Sequence, residues 1–343
     1  MKNESIFKNT FRCYSHCIYL CAMQRVLKEI NAVTILLFPA LMLLYFVAHT
    51  LAVVNGVHTF ESSGTLNLGV WGNFALSKTL DTILCTLFVL ANALLLNDVF
   101  NKRNFVDRET ALPGLVYIIL MSNTSEYYVF SGSLVFHLFF ILAIRQFSKL
   151  SLNQSNKAAV FNLGLLLGVA TTFSPYFYVF LPFLYLVTLI VIPFNFRHLM
   201  LYFTGWILPL FYVVPFVIYL HQFSLEFIAN LFEYNYQLPF NYFFNVMMIA
   251  IFAIITIIGG WASVGQMRNK FRSFVIALLV TIIFTFILIF LAYFMESMNY
   301  FHFLILLTAF IFPITLLKIQ NEFLYTLTFY AILIYSFTKY FFS

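Results

Sequence analysis

The chain has 343 residues, of which 63% are hydrophobic, 20% aromatic and only 9% charged. Soluble domains carry roughly 25% charged residues, so this composition excludes an ordinary soluble enzyme or binding module. The net charge of +6 does not indicate a nucleic-acid partner, because Lys and Arg also gather in the cytoplasmic loops of membrane proteins. We therefore expect an all-α, polytopic transmembrane bundle whose main partner is the lipid bilayer.

Residues 1–32 are mixed in composition and predict a cytoplasmic or interfacial N-terminal segment, followed by a single transmembrane domain at 33–343. Runs of about twenty apolar residues recur through this domain, each long enough to cross a hydrocarbon core of ~30 Å as a helix. The predicted spans are 33–54, 79–97, 111–128, 130–147, 159–175, 176–194, 199–220, 243–262, 273–294, 299–317 and 322–341. Polar residues interrupt 111–147 and proline interrupts 159–194, so ten spans are the alternative to eleven.

The distribution of basic residues predicts the orientation of the bundle. If the N-terminus lies in the cytoplasm and the spans alternate, the inner face receives sixteen of the eighteen Lys and Arg residues. The outer face then receives only Lys78 and Lys339. This separation agrees with the positive-inside rule and predicts an N-in, C-out topology.

The densest group of charges lies in the loop between the second and third predicted spans. Its members are Asp98, Lys102, Arg103, Asp107, Arg108 and Glu109. On the cytoplasmic face, such a loop is typical of a short salt-bridged connection between two spans. The alternative is a docking surface for a cytoplasmic protein, formed by Lys102, Arg103 and Arg108. The loop has as many acidic as basic residues, which fits a protein partner better than anionic lipid, because anionic lipid favours Lys and Arg without nearby acidic residues.

Short motifs follow one another in a fixed order through the middle of the chain. They are Asn97 with Asn101-Lys102-Arg103-Asn104, Pro113-Gly114-Leu115-Val116-Tyr117, His137-Leu138-Phe139, Arg145-Gln146-Phe147, Phe161-Asn162-Leu163-Gly164-Leu165-Leu166-Leu167-Gly168, Phe173-Ser174-Pro175, Pro193-Phe194-Asn195-Phe196-Arg197 and Gly205-Trp206-Ile207-Leu208-Pro209. As an ordered set over residues 30–320, they resemble a family of polytopic inner-membrane proteins of Bacteroidota with no established activity. The resemblance implies a multi-pass protein of the bacterial inner membrane. The chain departs from the pattern at His198, where an acidic residue is expected.

Some members of that family carry the label of carotene monooxygenases. An iron oxygenase needs clustered histidines, whereas the seven histidines of this chain are scattered over both faces and the spans. We therefore set that activity aside and look for chemistry in the polar residues of the outer face.

The predicted outer face is acidic and suggests an enzyme of envelope assembly. Glu61 lies in the first external loop, and Asp81 begins the second span. This layout resembles multispan glycosyltransferases that use polyprenyl-phosphate sugars, in which a carboxylate of this loop is the general base. The resemblance makes Glu61 the catalytic base, because a sugar hydroxyl is a poor nucleophile until its proton is removed. Asp81 is then the second catalytic acid.

Lys78, His58 and Glu296 are the predicted substrate-binding residues of that site. A lipid phosphate needs compensating positive charge, and Lys78 is the external cation nearest to the predicted acids in the sequence. The scarcity of external Lys and Arg opposes this function, unless the acidic residues hold a divalent metal ion. The sequence does not identify the metal ligands and predicts no other cofactor.

Two other functions fit the same sequence. The break at Ser174-Pro175, with Pro182 beyond it, favours a transporter or flippase for a lipid or small solute, because discontinuous helices line substrate sites. Ionisable residues are scarce within the spans, where His137 is the deepest titratable group, and this opposes a coupled transporter. The third hypothesis is a non-enzymatic scaffold of an envelope complex that binds its partner at the 97–110 loop.

Aromatic residues near the span ends predict contacts with the membrane surface. The tyrosines concerned are Tyr45, Tyr117, Tyr127, Tyr128, Tyr234, Tyr236 and Tyr242. We expect them to anchor the spans at headgroup level. Residues 66–74 of the first external loop are expected to lie along the surface, with Trp71 and Phe74 at headgroup depth.

Overall fold

The computed structural model describes residues 32–54, 65–75, 77–102, 105–106, 109–124, 127–152, 156–219, 240–294, 301–318 and 322–340. Within these ranges the protein is a bundle of eleven α-helices with one short hairpin. The helices are α1 (Ala32–Val54), α2 (Lys78–Lys102), α3 (Leu112–Met121), α4 (Gly132–Leu152), α5 (Lys157–Phe173), α6 (Phe180–Thr188), α7 (Phe196–Tyr219), α8 (Phe240–Val264), α9 (Asn269–Phe294), α10 (Phe301–Lys318) and α11 (Glu322–Thr338). Strand β1 (Thr65–Asn67) pairs antiparallel with β2 (Asn73–Ala75).

The predicted helical bundle is confirmed, and a helix lies at each of the eleven predicted positions. Five helical segments are long and apolar enough to cross a membrane: Thr79–Lys102, Gly132–Leu150, Phe196–Phe216, Asn245–Val264 and Phe271–Ile289. Five further apolar segments are shorter: Ile35–Leu51, Leu112–Met121, Lys157–Phe173, Phe301–Leu317 and Leu327–Thr338. The chain is thus a helical membrane protein, while the number of spans and the orientation stay predictions.

The third predicted span is shorter than expected because polar side chains end its helix. Past Met121, the side chains of Ser122 and Asn123 both donate hydrogen bonds of 2.8 Å to the carbonyl oxygen of Ile119. Thr124 donates one of 2.9 Å to Met121. Such local bonds compete with helical pairing, so α3 stops after ten residues. The sixth predicted span is divided into a 3₁₀ turn at Pro175–Val179 and a nine-residue α6.

Two helices form the centre of the bundle. Every described side chain of α3 is buried, and α10 is buried from Phe301 to Leu316. A helix that is apolar on all sides must be surrounded by other helices rather than by water. The core therefore lies around α3 and α10, with the other helices outside them.

The outer helices present apolar side chains to their surroundings. Leu36 and Leu43 on α1, Phe211 on α7, and Ile258 and Trp261 on α8 are all exposed. A soluble monomer rarely exposes so much contiguous apolar surface, whereas a bilayer covers such side chains with its own hydrocarbon. This apolar belt places the protein in a lipid bilayer.

Helices α5 and α7 pack at close range through glycine. A Cβ atom on Gly164 would overlap the carbonyl oxygen of Tyr202, and one on Gly168 would lie 2.5 Å from that of Trp206. On the α7 side of the contact, a Cβ atom on Gly205 would overlap the carbonyl oxygen of Phe161. Small residues four apart allow helix backbones to meet in membranes. These glycines belong to the ordered motifs of the sequence, which this contact explains in physical terms.

Helix α2 runs between two ends of the bundle, with Asp81 in its first turn and Phe100 in its last. We call the end near Phe100 the Phe105 end, where Phe105 is buried between Phe100, Phe271, Phe274 and Phe310. The opposite end carries the start of α2, the connection from α3 to α4 and the C-terminus of α11. We call it the Lys339 end.

Candidate functional site

Polar side chains from four parts of the chain meet at the Lys339 end. We call them the Lys339 cluster: Tyr45 and His49 of α1, Asp81 and Cys85 of α2, Ser122, Asn123, Tyr127 and Tyr128 of the α3–α4 connection, and Ser336, Lys339 and Tyr340 at the end of α11. Lys339 had been expected on the same face as Asp81, and these contacts bring both to one end of the bundle.

Lys339 places a partly buried amino group within this cluster. Its ammonium donates hydrogen bonds to the carbonyl oxygen of Ser122 and, at 3.2 Å, to Oδ1 of Asn123. It also lies 4.9 Å from the centre of the Tyr340 ring. No carboxylate in the described part of the chain lies within 4.0 Å of it. Burial lowers the pKa of Lys339 well below its ordinary value, because desolvation disfavours the ammonium form.

Two buried tyrosines add hydrogen-bond donors to the same cluster. Tyr127 and Tyr340 are 6% and 7% exposed, and neither hydroxyl has a hydrogen-bond partner among the described residues. Burial raises the pKa of Tyr127, and the nearby Tyr340 and Tyr45 hydroxyls raise it further. Both tyrosines therefore stay protonated at neutral pH and can donate. The Lys339 amino group and the two phenolic hydroxyls give the cluster three groups that can donate to an oxyanion, beside the acceptor oxygens of Ser122, Asn123 and Asp81.

Aromatic packing holds the cluster in place. The Tyr45 hydroxyl lies 2.5 Å from Oγ of Ser336, and its ring stacks on Phe337 with centroids 4.5 Å apart. The His49 ring stacks on Tyr128 at 4.1 Å. Tyr45, Tyr127 and Tyr128 had been predicted to anchor the spans at headgroup level, whereas the structure packs them against one another and against α11.

Asp81 is the one predicted catalytic residue whose side chain the structure describes. It is 4% exposed, and its Oδ1 accepts a hydrogen bond of 2.8 Å from the backbone nitrogen of Phe130. One turn further along α2, Cys85 donates to the carbonyl oxygen of Tyr127 at 3.0 Å. Both contacts tie the α3–α4 connection to α2. The geometry thus gives Asp81 a positioning role, and its catalytic role stays a prediction.

Most other predicted site residues fall outside the described residues. These are Glu61, His58 and Glu296 of the outer face, and Arg103 and Arg108 of the 97–110 loop. Lys78 begins α2, but the structure does not describe its side chain. The roles of all six stay predictions.

The described part of the 97–110 loop is fastened to the bundle. Lys102 pairs with Asp98 at 2.9 Å, with side chains 61% and 40% exposed, so the pair contributes only about 0.3–0.5 kcal/mol. Asn101 donates to the carbonyl oxygen of Thr110 at 2.9 Å and accepts from its backbone nitrogen at 3.0 Å. Together with the buried Phe105, this clamp holds the loop, as expected for a structural connection.

A second set of buried polar side chains connects three helices. The Tyr117 hydroxyl lies 2.8 Å from Nδ1 of His137. The same hydroxyl accepts a hydrogen bond of 3.4 Å from the side chain of Asn92. Asn92 also donates to the carbonyl oxygen of Leu134 at 2.9 Å. The His302 ring of α10 lies 6.3 Å from that of His137. His137, predicted as the deepest titratable group, thus belongs to a hydrogen-bonded network that joins α2, α3 and α4.

The hairpin docks on the bundle rather than only along its surface. Nε1 of Trp71 donates to Oγ1 of Thr172 at 3.2 Å, and the Trp71 ring lies 5.9 Å from Phe173 and 5.7 Å from Phe216. The ends of α5 and α7 therefore receive Trp71, which had been expected at headgroup depth. Phe74 is 46% exposed, as an interfacial side chain would be.

The structure shows no group of three or more His, Cys, Asp or Glu side chains suited to a metal ion within the described ranges. The divalent ion expected from the acidic outer face has no identified ligands and stays a prediction. No family model, curated protein or solved structure matches this chain. Function must therefore be argued from the site itself rather than from relatives.

Proposed function

We propose that this protein is an inner-membrane enzyme of envelope assembly, of the polyprenyl-phosphate-sugar glycosyltransferase type. In this proposal the Lys339 cluster receives the phosphate of the lipid-linked sugar. The observation that carries it is the Lys339 ammonium, which has buried phenolic neighbours but no carboxylate partner among the described residues. A partly buried cation of this kind is stabilised by a bound anion, and a lipid headgroup brings one to the surface of the bundle.

The cluster bears on the main objection raised by the sequence. The scarcity of external Lys and Arg left Lys78 as the main candidate to compensate a lipid phosphate. Lys339, the other basic residue of the predicted outer face, lies in the same cluster as the hydroxyls of Tyr127 and Tyr340, which are uncharged donors. Charge-assisted hydrogen bonds of this kind are roughly twice as strong as neutral ones. A phosphate can then be bound with little fixed charge.

The proposed reaction transfers the sugar from the lipid phosphate to an acceptor hydroxyl. The acceptor oxygen bonds to the anomeric carbon while the bond from that carbon to the phosphate oxygen breaks. Glu61 takes the proton of the acceptor, as a general base makes a sugar hydroxyl nucleophilic. Polyprenyl phosphate leaves with the bonding electron pair, and Lys339 compensates the negative charge that develops on it. Asp81 positions the α3–α4 connection that carries Tyr127.

The proposal is tested with purified protein in lipid nanodiscs that contain polyprenyl phosphate. Ligand binding to the folded state raises the unfolding temperature, so binding is measured from that shift. We expect Lys339→Met to reduce the affinity at least tenfold. Lys157→Met is the matched control, because Lys157 is exposed at the start of α5, away from the Lys339 end. Wild-type affinity in Lys339→Met would remove the cluster from phosphate binding.

Catalysis is tested separately through Glu61. We expect Glu61→Gln to insert and to bind polyprenyl phosphate normally, while sugar transfer to an acceptor falls below detection.

Tyr127→Phe keeps the ring and removes the hydroxyl, so it should weaken phosphate binding without abolishing it. Normal transfer by Glu61→Gln would exclude it as the base, whatever the result for Lys339.

A lipid flippase or transporter is the second candidate, favoured by a cleft beside the divided sixth element. The cleft touches Leu163 and Leu167 of α5 and Leu184 of α6, on either side of the break at Ser174-Pro175. This function predicts that the purified protein moves a fluorescent lipid between the leaflets of vesicles. A rate equal to that of protein-free vesicles would exclude it.

A further inference from the structure

The hairpin of β1 and β2 is fastened to the bundle through the indole of Trp71, a contact that we call the Trp71 dock. The indole nitrogen donates a hydrogen bond of 3.2 Å to Oγ1 of Thr172, near the end of α5. The Thr172 hydroxyl uses its own proton in a bond of 2.7 Å to the carbonyl oxygen of Val169, so its oxygen is left to accept. The Trp71 ring also contacts the rings of Phe173 and Phe216. The dock therefore combines one directed hydrogen bond with packing on two helices.

A glycine allows the hairpin to come this close to α5. Gly69 is buried and has a φ of +65°, a conformation that residues with a Cβ atom rarely adopt. A Cβ atom there would lie 2.6 Å from the carbonyl oxygen of Phe173 and 2.8 Å from that of Thr172. The backbone of the hairpin thus meets the backbone at the end of α5, two residues before Trp71. This second contact fixes the hairpin at one place on the bundle.

The Trp71 dock lies toward the same end of the bundle as the Lys339 cluster. Phe173 stacks on Phe139 with ring centroids 6.0 Å apart, and Phe139 belongs to the first half of α4, which begins at the Lys339 end. Two residues after β2, the carbonyl oxygen of Ser77 accepts a bond of 3.0 Å from the backbone nitrogen of Asp81, a member of that cluster. The hairpin therefore connects the ends of α5 and α7 with the start of α2.

Glu61, the proposed base, is joined to this hairpin by a short stretch of chain. It lies four residues before Thr65, where β1 begins. Four residues of fully extended chain span at most about 14 Å, so the dock limits the space that the Glu61 backbone can occupy. A general base acts only within hydrogen-bond reach of the proton that it removes, and a small displacement from that geometry slows the reaction strongly.

We propose that Trp71 is a positioning residue for Glu61, because its dock holds the loop between α1 and α2 at the Lys339 end. This role rests on the proposed function, and Trp71 itself touches no reacting atom. The residues of the dock are different from those of the Lys339 cluster. Loss of the dock should therefore slow the transfer of the sugar and leave the binding of the phosphate intact.

The position of the loop is tested with spin labels on the full chain in nanodiscs. The four cysteines are replaced by serine, and nitroxides are attached at Ser62→Cys, beside Glu61, and at Lys157→Cys, on the exposed start of α5. Pulsed electron paramagnetic resonance measures the distribution of distances between them. We expect a single narrow distribution when Trp71 is present and one at least twice as wide in Trp71→Ala. Equal widths, or a wide distribution with Trp71 present, would overturn the proposal.

Matched variants separate the dock from a general loss of structure. Thr172→Val removes the acceptor of the indole and Thr172→Ser keeps it, so only the valine variant should widen the distribution. Gly69→Ala should widen it as well, because the added methyl group meets the end of α5. Phe74→Ala is the control within the hairpin, since Phe74 is 46% exposed and lies outside the dock, and it should leave the width unchanged. Equal widths in the two Thr172 variants would mean that the hydroxyl does not hold Trp71.

The consequence for catalysis is measured with a polyprenyl-phosphate hexose and a monosaccharide acceptor. We expect Trp71→Ala to lower kcat at least tenfold while its affinity for polyprenyl phosphate changes less than twofold. Trp71→Phe keeps an aromatic ring and should recover part of kcat. If the wild type transfers sugar and Trp71→Ala has the same kcat, Trp71 has no positioning role and the proposed function stands.

Absence of transfer by the wild type gives a different result. It would overturn the proposed function and with it the catalytic part of this role. The spin-label distances would still decide whether Trp71 holds the loop, because they do not depend on sugar transfer.

Discussion

The ammonium of Lys339 donates a hydrogen bond to the carbonyl oxygen of Ser122, which lies 217 residues earlier in the chain. The same oxygen accepts a bond of 3.1 Å from the Tyr128 hydroxyl. A single backbone oxygen at the end of α3 therefore links the C-terminus of α11 to the α3–α4 connection. This link holds the Lys339 side chain among aromatic rings instead of leaving it in water.

The first prediction concerns pH. The pKa of Lys339 is lowered in the free protein, whereas an unfolded lysine has a pKa of about 10.4. Between these two values the folded state binds fewer protons than the unfolded state, so this group makes the free protein more stable as pH rises. A bound phosphate raises the pKa of Lys339 again. Phosphate binding should therefore take up a proton and weaken as pH rises through that window.

The measurement is the affinity for polyprenyl phosphate in nanodiscs as a function of pH. Wild-type protein should lose affinity with rising pH, while Lys339→Met should show a weak and flatter profile. Parallel profiles for both proteins would mean that the phosphate does not interact with this ammonium.

The second prediction concerns Asp81. Asp81→Ala removes the acceptor of the buried Phe130 nitrogen and should lower the free energy of unfolding by about 1–3 kcal/mol. Asp81→Asn keeps an oxygen at the same place and should retain most of that stability. Unfolding by SDS, followed by circular dichroism, compares the two. If Asp81 only positions the connection, Asp81→Asn should also retain sugar transfer, whereas loss of transfer in a stable protein would show a catalytic role.

The third prediction concerns the contact between α5 and α7. Gly164→Ala places a methyl group against the carbonyl oxygen of Tyr202, so the helices must move apart. We expect a loss of about 1–3 kcal/mol, typical of overpacking. Gly265→Ala is the control, since a Cβ there meets no atom within 4 Å. An equal effect of the two substitutions on the unfolding temperature would contradict close packing at Gly164.

The fourth prediction concerns the 97–110 loop. Phe105→Ala empties a site bounded by four phenylalanines and should cost about 3–5 kcal/mol. Lys102→Ala removes only an exposed ion pair and should change the stability by less than about 1 kcal/mol. Limited proteolysis within residues 97–110 should accelerate in Phe105→Ala alone. Equal rates in both variants would mean that Phe105 does not hold the loop.

The helices could be predicted from the sequence because the length of an apolar run is a local property. The shortened α3 is a local effect too, but it depends on Ser122 and Asn123 turning back to Ile119 rather than toward water. Hydrophobicity alone does not report that choice. Hydrophobicity also does not report the short length of α6, whose nine helical residues lie between Pro175 and Pro193.

The Lys339 cluster was only partly predictable. The count of charges placed Lys339 on the outer face beside Asp81, but its contacts with Ser122 and Asn123 join positions more than 200 residues apart. Tyr45 and Tyr127 satisfy the pattern of interfacial anchors, because a phenol suits both a headgroup region and a buried site with polar neighbours. Three-dimensional packing decides between these two environments.

The position of α10 also bears on how the protein is made. This helix lies at the centre of the bundle, yet nine of the eleven described helices precede it in the chain. Helices α3, α4, α8 and α9, which pack on it, leave the ribosome first and must wait in the membrane without their shared neighbour. The native core is therefore completed only after α10 has entered the membrane. A chain truncated before Phe301 would insert its earlier helices and leave an unfilled centre for quality-control proteases to recognise.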